Sequence, residues 1–87
     1  MPPSKHIQVT VRFYSFFKDL AGCSSTIQTL PAESTVGHLL NSIFMSFPKL
    51  ESMQKSTLVA VGVEYQHRQC VLRDGDEVSL FPPVQGG

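Results

Sequence analysis

The sequence predicts a two-layer α+β domain in which one amphipathic helix packs on a sheet. Three observations predict it. Residues Ile7–Phe13 alternate strictly between apolar and polar. Val36, Leu39, Leu40, Ile43, Phe44 and Phe47 recur at the spacing of one helical face. The remaining apolar runs are short and bounded by Gly, Pro and Asp. A helix with one apolar stripe and strands with one apolar face can each be buried only against the other, which fixes the layering.

Ile-Gln-Val-Thr-Val-Arg-Phe at 7–13 has the period of a strand with one buried face. Ser15–Ala21 then reads as a brief helix stopped by Gly22, the residue best suited to a left-handed helix end. Thr26–Leu30 is rich in β-branched residues and closes at Pro31, so a second strand returns hairpin-like along the first. The long helix spans Val36–Phe47, with Ser34 or Thr35 as its cap and Pro48 as its stop. Leu58–Val61 reads as a strand and Gly62 permits a bend. Val63–Tyr65 and Gln69–Leu72 read as short, less regular strands, and Asp74-Gly75-Asp76 as a turn. Glu77–Phe81 is the last strand, with Val78 and Leu80 on one face. The order β-β-α-β-β-β with one long helix fits the β-grasp arrangement, a mixed sheet curled around a helix.

Eighty-seven residues make a single domain, 1–87, and a chain this short buries only about 60 to 65% of its unfolded surface, so chemistry is expected at an edge or a terminus. Seven Lys+Arg balance seven Asp+Glu, which leaves no electrostatic footprint for nucleic acid or an anionic membrane. No apolar run reaches the roughly 20 residues of a bilayer span, and the N-terminal residues lack the pattern of a secretory signal. A cytoplasmic location is therefore expected. Cys23 and Cys70 are too few for a disulfide framework and lack metal-site clustering, so they read as reduced packing residues. His6, His38 and His67 are scattered, with no sequence partner that would make them ligands or bases. No metal site and no stably bound cofactor are expected.

The chemistry is expected in the tail, Phe81-Pro82-Pro83-Val84-Gln85-Gly86-Gly87. Two prolines fix φ and cannot donate ladder bonds, so they end the strand and project the last residues as a flexible, semi-extended arm. Gly86 and Gly87 have no Cβ, so a narrow partner channel can approach the terminal carboxylate closely. That carboxylate is an anion at neutral pH and a poor electrophile, so it needs activation, by transfer of AMP from ATP. A sulfur donor could then displace AMP and leave a thiocarboxylate on a tethered arm, at high effective concentration inside a partner's active site. Phe81 points opposite to Val78 and Leu80 and is expected as an exposed docking anchor, with Tyr14 placed likewise after Phe13. If the first and last strands lie side by side and parallel, Tyr14 and Phe81 flank the exit of the tail.

The run Leu72–Gly87, with DGDEV followed by PPVQGG, resembles the C-terminal signature of the small, sulfur-carrying subunit of molybdopterin synthase, the MoaD family. Val11-Arg12-Phe13-Tyr14, Lys18–Gly22, Ser34-Thr35-Val36 and Leu58–Val61 sit where that family has them, so the resemblance covers about residues 7–87. It implies a ubiquitin-like β-grasp fold and a carrier that is not an enzyme alone. Gly87 would be adenylated by an E1-like enzyme using ATP, then thiocarboxylated. The tail would insert into the larger synthase subunit of a heterotetramer and give sulfur to cyclic pyranopterin monophosphate. Phe81, Tyr14 and Tyr65 match the family's apolar partner contacts, and Pro82, Pro83, Val84, Gln85 and Gly86 would occupy the partner channel. Asp74, Asp76 and Glu77 either meet the activating enzyme or simply form the turn. Gly62 stands where the family often has Asn, and Gln85 is larger than the residue common there. The alternatives are a carrier for another pathway such as thiamine synthesis, a ubiquitin-like modifier of lysines, and a scaffold binding through Phe81 and Tyr14 without tail chemistry.

Overall fold

The computed structural model describes residues 5–53 and 56–82. β1 (His6–Phe13) leads through α1 (Phe16–Ala21) to β2 (Ser25–Pro31), and α2 (Val36–Ser46) follows. A 3-10 helix (Pro48–Met53), β3 (Leu58–Val61), β4 (Glu64–Tyr65) and β5 (Glu77–Phe81) complete the order. The five strands form one mixed sheet in the order β2-β1-β5-β3-β4. Only β1 and β5 are parallel; the β1–β2, β3–β5 and β3–β4 pairs are antiparallel. The chain thus has the β-grasp architecture its sequence predicts.

Alternation along β1 is complete, with Ile7, Val9, Val11 and Phe13 buried and the residues between them facing away. These side chains join Val78 and Leu80 of β5, Val59 of β3 and the α2 residues Val36, Leu39, Leu40, Ile43 and Phe44 in one core. Phe47 caps the helix instead of continuing it and meets Phe13 edge-on at 5.2 Å. α1 ends at Gly22 in the left-handed conformation, with the Gly22 amide donating to the Lys18 carbonyl.

Thr35 caps α2: its hydroxyl accepts from the His38 amide, and His38 Nδ1 accepts from the Thr35 amide. This is a capping box with histidine in the place usually taken by Glu or Gln. Ser34, the other candidate, instead donates its hydroxyl to the Pro31 carbonyl.

Two segments differ from expectation. Residues 48–53 form a 3-10 helix where a stop was expected, because Leu50 folds back into the core. Gln69–Leu72 is not a strand and contributes only an isolated bridge between Val71 and Thr35. Its backbone is committed to the helix start: the Val36 and Gly37 amides donate to the Cys70 and Arg68 carbonyls, and the Leu72 amide donates to Ser34. An added Cβ on Gly37 would lie 3.4 Å from the Arg68 carbonyl, so the crossing is close. Cys23 and Cys70 are free, partly buried and packed against the core.

Candidate functional site

The parallel pairing of β1 and β5 places Phe13 opposite Leu80 and continues as a hydrogen bond from the Tyr14 amide to the Leu80 carbonyl. The residues one step further, Tyr14 and Phe81, both turn to the sheet face opposite α2. Their rings stack at 4.7 Å with an interplanar angle of 16°. Tyr65 of β4 closes on Phe81 from the other side at 6.2 Å, nearly edge-on. Leu58 of β3 lies opposite Phe81 in register, so four apolar or aromatic side chains gather where β5 ends.

Phe81, expected to be exposed, is only half-exposed, because the two tyrosines cover it. Tyr65 is 69% exposed and Tyr14 39%, so the outward-presented surface is largely tyrosine. Ser79, which alternation places on the same outer face, is nevertheless buried, between Arg12 and Ala60 in register. Pro82 is the last described residue. Pro83, Val84, Gln85, Gly86 and Gly87 lie outside the described residues.

Arg12, two residues before Tyr14, and the carboxylates at the opposite, starting end of β5 are already engaged. Arg12 pairs with Glu77 across β1 and β5, and the Glu77 carboxylate raises the Arg12 pKa above its ordinary value, holding the guanidinium cationic. Asp74 accepts from the Gln8 amide at 2.8 Å and Asp76 from the Arg73 amide at 2.8 Å. These carboxylates therefore build the turn that launches β5, with Gly75 at positive φ between them.

One surface depression is lined by Thr35, Gly37, His38, Asn41, Phe44 and Arg68. It lies against α2 and shares no residue with the aromatic cluster. Among the described residues no group of His, Cys, Asp and Glu could hold a metal ion. No described helix is long and apolar enough to cross a membrane.

Alternation along β1 and β5 displays Tyr14 and Phe81 in the sequence, whereas Leu58 becomes their neighbour only through the β3–β5 pairing. The β3–β5 register joins residues about twenty positions apart, which no local pattern displays.

A mixed five-stranded sheet on one main helix, with its last strand central and its carboxyl end ringed by aromatics, defines a ubiquitin-like β-grasp protein. The chain belongs to the ThiS family, which it matches over residues 11–87. It is 31% identical over 83 residues to the molybdopterin synthase sulfur carrier subunit of Chlamydomonas reinhardtii, covering 93% of this chain and all of the relative. The crystal structure of SAMP1, a small archaeal modifier protein of Haloferax volcanii, superposes with a TM-score of 0.83 at 25% identity, covering 92% of this chain and 99% of that one. The fold also matches a complex of subunits 1 and 2 of molybdopterin-converting factor from Helicobacter pylori, with a TM-score of 0.65, 23% identity, and 93% and 100% coverage. The chain is thus a small carrier-type protein homologous to the molybdopterin synthase small subunit.

Proposed function

We propose that the chain is the sulfur carrier subunit of molybdopterin synthase, with Gly87 as its reactive end. The carrying observation is the tail's root: β5, a central strand, ends at Phe81 inside an aromatic cluster, and PPVQGG comes next. Five residues beyond Pro82 reach at most about 17 Å when extended. The Gly87 carboxylate attacks the α-phosphate of ATP in an E1-like enzyme, and pyrophosphate leaves. A hydrosulfide equivalent then adds to the acyl carbon, AMP leaves, and the product is a thiocarboxylate. The carrier binds no cofactor of its own in this scheme; ATP belongs to the activating enzyme.

The large synthase subunit is the proposed partner, in keeping with the subunit named in the Chlamydomonas relative and with the two-subunit complex that shares this fold. Tyr14, Tyr65, Phe81 and Leu58 form the docking face, while Pro82–Gly86 thread toward the site where sulfur passes to cyclic pyranopterin monophosphate. Gly86 and Gly87 supply the narrow tip, and Gln85 is the widest point to be accommodated.

Incubation with an activating enzyme, ATP and sulfide, followed by intact-mass measurement, tests this reading. The expected gain is about 16 Da, sulfur for oxygen, confined to the C-terminal peptide. No gain, with an enzyme shown active on another carrier, refutes it. The likeness to SAMP1 favours one second reading, a modifier joined to lysines. Lysine-linked adducts in cells, without a stable complex with a pterin-binding subunit, would select it.

A further inference from the structure

The sheet ends at β2, and the hydrogen-bond phase of the β1–β2 ladder shows what that edge offers. The Phe13 amide donates to Ser24 and the Ala32 amide to Lys5, both on the antiparallel register that pairs Val9 with Gln28. Bonded pairs recur every second residue, so Thr26, Gln28 and Leu30 turn their backbone groups toward β1. Ser25, Ile27 and Thr29 turn theirs away from the sheet.

The next outward residue, Pro31, has no amide, and its carbonyl already accepts from Ser34. The usable edge is therefore Ser25–Thr29. Edges of this kind are normally blunted by charge, by bulges or by covering elements. Here the run from Ser24 to Ala32 carries no charged residue, the β1–β2 pairing runs without a bulge, and Ile27 is 64% exposed on the outer face.

From this we infer that β2 pairs antiparallel with β2 of a second copy of the chain, centred on Ile27. The register comes by elimination. Ile27 opposite Ile27 of the second copy also sets Ser25 against Thr29 in both directions, giving about six backbone bonds from the outward groups of both strands. A shift one bonded pair toward the C-terminus sets Ser25 against Pro31, which has no amide to give. The opposite shift sets Thr29 against Cys23, beyond the end of β2. The two-fold register places the Ile27 side chains against each other on the outer face, and no charge opposes the contact.

The resulting sheet is continuous across both copies, with both α2 helices on one face. β1 runs antiparallel to β2 and parallel to β5, so the two tails leave from opposite ends of the paired sheet. The tail's root lies on β5, separated from β2 by β1, so backbone pairing along the outer edge of β2 leaves it open.

Sedimentation equilibrium of the full chain from about 10 μM to about 1 mM tests the pairing, because an interface this small gives a weak dimer. The expected weight-average mass rises toward twice the monomer. Ile27→Lys, at an exposed side chain, is expected to stay monomeric throughout. Thr29→Pro, which removes one outward donor, provides a second variant should the first not fold. Val63→Lys, 98% exposed beside the opposite edge, is expected to dimerise like the unaltered chain.

Amide exchange supplies a second readout. Protection at Ile27 and Thr29 is expected to rise with concentration, while Thr26 and Gln28 are protected throughout. A chain monomeric at every concentration, or a dimer that survives both edge variants, overturns the inference. Protection of Ile27 and Thr29 only after addition of another protein overturns it too, and assigns the edge to a foreign strand.

Discussion

Phe81→Ala probes the aromatic cluster where it joins fold to function. The ring makes one stacked contact with Tyr14 at 4.7 Å and one edge contact with Tyr65 at 6.2 Å. Such pairs contribute about 0.5–1.5 kcal/mol each, and with both tyrosines partly in water the lower half of that range applies. The substitution is therefore expected to cost about 1–2 kcal/mol in stability, which for a domain of this size lowers the melting temperature by roughly 4–16 °C. Urea unfolding of Phe81→Ala, Tyr14→Ala and the double variant forms a cycle whose coupling is expected near 0.5–1 kcal/mol. A coupling indistinguishable from zero would refute the idea that Tyr14 holds Phe81 in place. The same Phe81→Ala chain is expected to bind the large synthase subunit more weakly by about 1–3 kcal/mol, measured by calorimetry, as loss of an anchor does. Full-strength binding would remove Phe81 from the docking face.

Adding one residue after Gly87, or changing Gly86 to Val, is expected to abolish sulfur transfer while stability stays within about 0.5 kcal/mol, checked by mass spectrometry and thermal melts. Thr35→Ala removes the hydroxyl that caps α2 and is expected to cost about 1 kcal/mol in denaturant unfolding. Leu39→Ala, at a fully buried position, is expected to cost about 2–5 kcal/mol by the same measurement. At Gly62, where φ is +65° and a Cβ meets nothing within 4 Å, Asn is expected to be tolerated and Val to cost about 1–2 kcal/mol.

The Gly62 geometry also explains a departure visible in the sequence. Glycine and asparagine are the residues that enter the left-handed region most readily, so Gly62 makes the same bend as the Asn that the resemblance would place there.

The elements with a strong period were legible in the sequence. β1 and α2 each bury one face, and their patterns state which residues do so. The 3-10 helix was not legible, because a single buried residue, Leu50, among residues 48–52 carries no period. Gln69–Leu72 has the look of a strand because Cys70, Val71 and Leu72 are apolar. Its backbone instead satisfies the first amides of α2, a tertiary demand that no local pattern displays.

At the site, alternation alone gave the direction of Tyr14 and Phe81. How far Tyr14 and Tyr65 cover Phe81 depends on strand order. The capping role of His38 was hidden because the familiar signature has Glu or Gln three residues after the cap.

The parallel pairing of β1 and β5 has a mechanical consequence. The start of β1 and the end of β5 lie at opposite ends of the paired segment, with Thr10 beside Glu77 and Phe13 beside Leu80. Tension applied between the beginning of β1 and the tail therefore loads these ladder bonds together, in shear, and cannot peel them one at a time. β3 flanks β5 on its other side over Leu58–Val61, so the strand that anchors the tail is gripped along both edges. A partner that draws the tail into a channel, or a machine that hauls on it, meets the resistance of the whole central sheet before the strand gives way.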